Sequence, residues 1–325
     1  MDILVVRLSA LGDVAMTLPA IYSCAKTCPQ HTFHVLTTQF CAQLFVHAPD
    51  NVQVHPLQKP VSTWKMLRQL QRLEVDAVAD LHNVLRSWII DLFFLLKGRR
   101  VKMLQKQRLG RRHTLGTSHT EAPRFTERYF DVFTRLGLSA PPLFTSLYDT
   151  LPPLPDGITE KQEGEHWIGV APFARYQNKI YPLEKMRKVV EIVAGRPHTR
   201  VLLFGAKGDE ARVLEQWATQ IPHTESLAGR YPLTDELAIM TRLDTMLTMD
   251  SSNMHLASLT GTRVVSVWGG TTPACGFLGW QQHTEDALCA QLPCQPCTIA
   301  GSEHCPKGDY PCMHAISPET IANRL

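Results

Sequence analysis

Short, almost uninterrupted apolar runs alternate with segments of helical spacing through both halves of the chain, and this leaves few folds open. In the first half ILVVRL (3–8), HTFHVLTT (31–38), DAVADLH (76–82) and RVKML (100–104) read as strands, separated by helical stretches such as Thr63 to Leu73. In the second half the same role falls to WIGVAPFA (167–174), TRVLLFG (199–205), DTMLTMD (244–250) and TRVVSVWG (262–269). Runs that are apolar throughout belong in sheets covered on both faces, and strands that alternate with helices make such sheets parallel and doubly wound. A chain of 325 residues is long for one such unit and suits two. The proline-rich stretch 139–157 has few periodic apolar positions and reads as the crossover. The expectation is therefore an α/β architecture of two Rossmann-like domains, over 1–155 and 156–325. In sheets of this kind ligands bind beyond the carboxyl ends of the strands, so the residues that follow each strand are where chemistry is sought.

Several classes of protein are disfavoured. The start, MDILVVRLSALGD, reads as a first strand and not as a secretory signal, which sets the expectation of a cytoplasmic chain. The longest apolar stretch, Trp88 to Leu96, is interrupted by Asp91 and is about half of what spans a bilayer. A net charge of +3 gives no reason to expect a nucleic-acid partner. A dinucleotide-binding enzyme would carry G-x-G-x-x-G after the first strand, and here only Gly12 lies in that turn.

What that turn does hold is Asp13, a carboxylate at a strand-to-helix corner that either projects toward a ligand or complements the helix dipole. In the second half MDSSNMHLAS (249–258) ends a strand on Asp250 and opens a helix with Ser251, Ser252 and Asn253. The free N–H groups of such a helix start suit a diphosphate, although a plain helix cap explains the same residues. His255 lies one turn further, facing either ligand or core. Trp268-Gly269-Gly270-Thr271-Thr272-Pro273 forms a glycine-rich turn that permits close backbone approach to a ligand. Lys179, in RYQNKIYP, is either a diphosphate-neutralising ammonium or an ordinary surface lysine.

Together these residues resemble the glycosyltransferases of the heptosyltransferase type. The resemblance spans nearly the whole chain. It is carried by RLSALGDVAMTLPA (7–20), DLHNVLRS (80–87), Lys179 to Pro182, LFGAKGDE (203–210), SLAGRYPL (226–233) and MDSSNMHLASLTGTRVVSVWGGTTP (249–273). It implies a GT-B architecture, two Rossmann-like domains facing a central cleft, and an inverting, metal-independent transfer from a nucleotide diphosphate sugar, with ADP-heptose the expected donor. Asp13 is then the base that takes the proton of the acceptor hydroxyl. Lys179 and the helix start at Ser251 to Asn253 stabilise the departing diphosphate. Asp250 and His255 fall where the family contacts donor sugar and phosphates, and Asp209 or Glu210 near its ribose contact. Arg86, with the basic segment 97–113 that includes Arg99 and Arg100, falls where the family meets an anionic acceptor such as the lipopolysaccharide core. The chain departs from the family in carrying Ser252 and Asn83 where glycine is usual. Family chains commonly end on a helix that crosses back to the first domain, whereas this one ends soon after Ser317-Pro318-Glu319.

Other readings stay open at this point. A GT-B-like transferase or epimerase using another nucleotide sugar fits the same motifs, as does a sugar-nucleotide binding protein without turnover. Residues 97–113 carry eight basic residues and no acid, as either a solvated loop or an anion seat. The adjoining WIIDLFFLL (88–96) reads as a buried helix, the alternative being peripheral attachment to the inner face of the inner membrane. Cys24, Cys28 and Cys41 read as core residues. Cys294, Cys297, Cys305 and Cys312 supply either four thiolates to a structural zinc or a set of free thiols, and the chemistry above needs no cofactor.

Overall fold

A computed structural model of the chain describes residues 1–58, 62–106, 115 and 121–325. These fall into two compact units, one drawn from residues within 1–107 and 123–147, the other from within 108–122 and 148–325. The division lies between 147 and 148, ahead of the prolines near 155. The stretch that follows is tied into the second unit, through Arg242 Nη2 to Pro152 O at 2.7 Å and Tyr231 Oη to Asp156 O at 3.3 Å.

The first unit is a five-stranded parallel sheet in the order β3-β2-β1-β4-β5. Its strands are β1 (Asp2–Val6), β2 (Thr32–Thr38), β3 (Val52–Leu57), β4 (Ala77–Asp80) and β5 (Arg100–Met103). Side chains alternate across the pleat, so Leu4 and Val6 pack on one face with Leu36, Val78, Met66, Leu70, Ile90 and Phe94. The other face meets the helices Leu18–Thr27 and Phe125–Arg135, where Phe33 and Phe133 stack edge to face at 6.0 Å. Connections run outward from β1 through β2 to β3, and the chain then returns to place β4 on β1's other side. The topological switch point is therefore between β1 and β4.

The second unit repeats this plan with six parallel strands in the order β11-β10-β9-β6-β7-β8. They are β6 (His166–Ala171), β7 (Thr199–Leu203), β8 (Thr224–Ser226), β9 (Thr245–Met249), β10 (Arg263–Trp268) and β11 (Ala287–Cys289). Its switch point lies between β6 and β9. Val170, Val201, Leu203, Leu247, Val265 and Val267 build one core face with the helix Leu183–Ala194. The terminal helix Pro318–Ala322 packs into the same core through Ile321 and Ala322, and Ala322 O accepts from Arg196 Nη2 at 2.6 Å.

Three strands escape the sequence pattern, and all three lie on sheet edges. β3 contains Pro56, whose missing N–H is tolerated only where no neighbour needs it. β8 and β11 are three residues long, too short to show a period. The helix Leu85–Leu96 departs from expectation in a different way. It buries Ser87, Ile90, Asp91 and Phe94 but leaves Leu85, Trp88, Ile89, Leu92, Leu95 and Leu96 exposed, so it is covered on one side only. Among the described residues no helix is long and apolar enough to cross a membrane.

Candidate functional site

Both switch points carry an acid paired to a cation. In the first unit the chain leaves β1 at Arg7, buried to 5% exposure, and turns into a short helix, Leu11–Ala15, whose first turn holds Asp13. Arg7 Nη2 meets Asp13 Oδ2 at 2.7 Å while Arg7 Nη1 donates to Leu81 O at 2.8 Å, beyond the end of β4. The Ala10 N–H also points at Oδ2, at 3.4 Å. One carboxylate oxygen is thus held from two sides. Oδ1 makes no hydrogen bond among the described residues, and the side chain is 34% exposed. A carboxylate fixed through one oxygen and open at the other is suited to taking a proton from a hydroxyl.

Beneath it lies a second acidic layer. Asp80, the last residue of β4, is fully buried and accepts from the N–H groups of His82 at 2.8 Å and Asn83 at 2.9 Å, and from the Ser87 hydroxyl at 2.7 Å. Burial, reinforced by the charge of Asp80, pushes the Asp91 carboxyl up to about 8. Asp91 is therefore mostly protonated at neutral pH, which spares this layer a second negative charge. His82 is held down at about 4, by burial first and the Arg7 guanidinium second, and is neutral. For Arg7 itself burial works against the charge, but Tyr129, Asp13 and Asp80 together raise its pKa further, so it stays charged. Asn83 has φ +49°, the left-handed region where glycine is at home and asparagine is tolerated.

The basic residues expected near an acceptor are divided by this geometry. Arg86 opens the helix that follows β4, on the carboxyl edge of the sheet with Asp13. Arg99 and Arg100 lie at the start of β5, on the opposite edge, about 10 Å away by strand length. Arg99 pairs with Asp76 at 3.7 Å and Arg100 Nη2 reaches Met1 Sδ at 2.9 Å. Of the three arginines, Arg86 alone shares the carboxyl edge with Asp13. Arg108, Arg111 and Arg112 of the basic run lie outside the described residues.

In the second unit the two strands that flank the switch point each contribute one partner. Lys179 closes a 3₁₀ turn, Gln177–Lys179, after β6, and Asp250 follows β9 directly. Lys179 Nζ lies 2.6 Å from Asp250 Oδ2, which also accepts the Thr271 hydroxyl at 2.6 Å. Both are buried, at 8% and 5% exposure, so the lysine is no ordinary surface residue. A buried ion pair roughly recovers its own desolvation cost and adds little net stability. What it achieves is to hold an ammonium at a defined point.

Beside the pair begins the helix Ser252–Leu259. Ser251 sits at its N-cap, yet its side chain makes no cap hydrogen bond, and Oγ instead lies 3.1 Å from the Thr248 hydroxyl. The leading N–H groups, including those of Ser252 and Asn253, keep their capacity for an anion. His255 is buried one turn in. Glu210, in the first turn of the helix after β7, accepts from the Ala206 N–H at 2.7 Å, while Asp209 is engaged by Arg212 in the solvent.

The glycine pair serves a purpose the sequence did not reveal. A side chain at Gly269 would collide with the Asn178 carbonyl and Met313, and one at Gly270 with the Asn178 side chain. The Gly270 N–H donates to Asn178 O at 2.8 Å. The close approach is therefore to the residue before Lys179. The cysteine-rich segment completes this brace: Gln295 Nε2 donates to Gly269 O at 2.7 Å, Cys297 N to Gly270 O at 2.9 Å, and Ser302 N to Asn178 Oδ1 at 2.8 Å. Gly301, at φ +113°, lies against Tyr176 and the Lys179 stem. The segment is a backbone strap around the lysine turn.

The segment also carries the cysteines for which the sequence left two readings open, ligands of a structural zinc or free thiols. Among the described residues no three His, Cys, Asp or Glu side chains are placed to hold a metal ion, and every cysteine is a free thiol. Burial pushes Cys312 up to about 11 and raises Cys297 as well, and the neighbouring thiols add to both shifts. Cys294, Cys297, Cys305 and Cys312 lie within electrostatic reach of one another in the strap, and no chemical step is derived from a metal there.

Known proteins bear on this geometry. The family model described as glycosyltransferase family 9 (heptosyltransferase) matches residues 63–306. Lipopolysaccharide heptosyltransferase 3 of Escherichia coli is 21% identical over 280 residues, covering 80% of this chain and 81% of that protein. Two solved structures share the fold. The E. coli heptosyltransferase WaaC with ADP has a TM-score of 0.66 at 18% identity, covering 89% of this chain and 92% of that one. A family 9 glycosyl transferase from Veillonella parvula has a TM-score of 0.74 at 17% identity, covering 99% and 95%.

Proposed function

Since the chain belongs to glycosyltransferase family 9, we propose that it transfers a heptose or similar sugar, with inversion and without a metal, from ADP-heptose to an anionic lipopolysaccharide core or related envelope glycan. The observation that carries this reading is the second switch point, where a buried ammonium and an uncapped helix start come off strands β6 and β9. That combination is a receptor for a diphosphate.

In this scheme Lys179 and the N–H groups at Ser252 and Asn253 bind the donor diphosphate, and Asp250 with Thr271 holds the lysine in place. Glu210 and His255 complete the donor contacts. The acceptor hydroxyl passes its proton to Asp13 Oδ1 as its oxygen bonds to the anomeric carbon. The bond from that carbon to the diphosphate breaks on the opposite side, and the nucleotide diphosphate leaves with the electron pair. Charge developing on the leaving group is met by Lys179 and the helix dipole, the task a divalent cation performs in other transferases. Arg7 orients the base and Arg86 meets the anionic acceptor.

The donor is tested by thermal shift against ADP-heptose, GDP-mannose and UDP-glucose. ADP-heptose at 100 times its Kd should stabilise the folded state by about 2.7 kcal/mol, and the other two by less. Equal shifts from all three would remove the case for an adenine nucleotide. Turnover that survives exhaustive chelation supports the metal-free step, and turnover abolished by chelation and restored by a divalent cation would refute it.

A further inference from the structure

The helix Leu85–Leu96 presents Leu85, Trp88, Ile89, Leu92, Leu95 and Leu96 at exposures from 39% to 80%. Spacings of three and four place them in one stripe along a helix about 18 Å long. Its opposite face, with Ile90 and Phe94, is packed against the sheet, so the stripe is not an interior surface left loose. A contiguous apolar face of this kind on a folded protein marks a surface with a partner.

The charge around it says which partner. From 84 to 106 the chain carries Arg86, Lys97, Arg99, Arg100, Lys102 and Lys106, and its one acid is Asp91, buried on the far side of the helix. Lys97 stands exposed at the helix end, 4.4 Å above the Phe93 ring. A second copy packed on the same stripe about a two-fold axis would set one basic border against another, at an electrostatic cost. An anionic bilayer accepts both features at once, acyl chains receiving the stripe and lipid phosphates the cations.

We propose that the exposed stripe of Leu85–Leu96, with its basic border, is a membrane-docking surface that seats the protein in the plane of an anionic lipid bilayer. This deepens the reading of a lipid-linked acceptor and rests on it for its purpose, but its test needs no nucleotide sugar. Flotation of the full chain with vesicles containing phosphatidylglycerol, and with pure phosphatidylcholine, at low and high salt, reads it directly. Binding should require the anionic lipid and weaken as salt rises. A Leu92→Asn/Leu96→Asn variant should bind at least about tenfold more weakly, and Lys97→Gln about fivefold more weakly.

Leu92 and Leu96 are 57% and 80% exposed, so the variant should melt at the parental temperature. Should it unfold, Lys97→Gln carries the test alone. Parental protein that stays out of the anionic vesicles, or variants that bind as the parent does, would overturn the proposal. So would light scattering that shows a parental dimer and a monomeric Leu92→Asn/Leu96→Asn chain. Donor binding by thermal shift is read separately, so loss of docking and loss of the transferase reading are distinguishable.

Discussion

Asp13 and Asp250 occupy equivalent places in two similar sheets, and what differs between them separates two kinds of chemistry. Each follows a strand beside its switch point, and each is ion-paired at nearly the same distance, 2.7 Å to Arg7 and 2.6 Å to Lys179. In the first unit the cation is sunk in the fold and the acid is one-third exposed, with one oxygen open. In the second both partners are buried, and the acid's Oδ2 is shared between lysine and Thr271. The same pair of charges therefore leaves a carboxylate open in one place and fixes a buried ammonium in the other. Which member is accessible is what differs, and the proposed roles follow from it.

This contrast breaks most readily at the buried pair. Lys179→Met strands the Asp250 carboxylate at 5% exposure, so it should lower stability by about 3–5 kcal/mol and turnover by about 10²–10³-fold. Urea unfolding with a transferase assay checks both. Loss of turnover at parental stability would mean that the pair is not locked as described.

The acidic layer under Asp13 gives a smaller effect that depends on pH. Asp91 in the folded chain keeps its proton to about 8, while in the unfolded chain it ionises near 4. Between those values the folded state holds the extra proton, so this group erodes stability as pH rises, by at most about 1.4 kcal/mol per unit, and the erosion levels off above 8. Asp91→Asn removes the titration and should gain on the parent progressively from pH 5 to pH 8. A difference that stays constant with pH would show that Asp91 is ionised in the fold.

The smallest effect sharpens the description of the second site. Ser251 stands at an N-cap without capping, so Ser251→Ala should change stability by less than about 0.5 kcal/mol, below the usual ~1 kcal/mol for a lost cap. Thermal melts decide this, and a full capping loss would mean that the helix start is already satisfied and is a poorer anion site.

Much of this was legible in the sequence, for a physical reason. Asp13, Lys179 and Asp250 all follow apolar runs, and in a parallel sheet such positions gather at the carboxyl edge. Their partners were not so visible. Arg7 looks like the tail of ILVVRL, although a lone charge closing a buried strand was itself a signal. Asp91 reads as an interruption in WIIDLFFLL, and only the fold brings it to Asp80. The glycine pair signalled close approach but not what approaches, since Asn178 lies some ninety residues earlier in the chain. Arg99 and Arg100 are near Arg86 in sequence but on the far edge of the sheet, a separation that only the strand register reveals. The spacing of the cysteines did not show that their segment also braces the lysine turn through its backbone.

The division of labour between the two acids is tested most directly by Asp13→Asn, assayed for turnover and for ADP-heptose affinity in the same preparation. Turnover should fall by about 10²–10⁴-fold while donor affinity and melting temperature stay at parental values. A variant that keeps its turnover, or that loses donor binding along with it, would contradict the assignment of proton transfer to the first unit and diphosphate binding to the second.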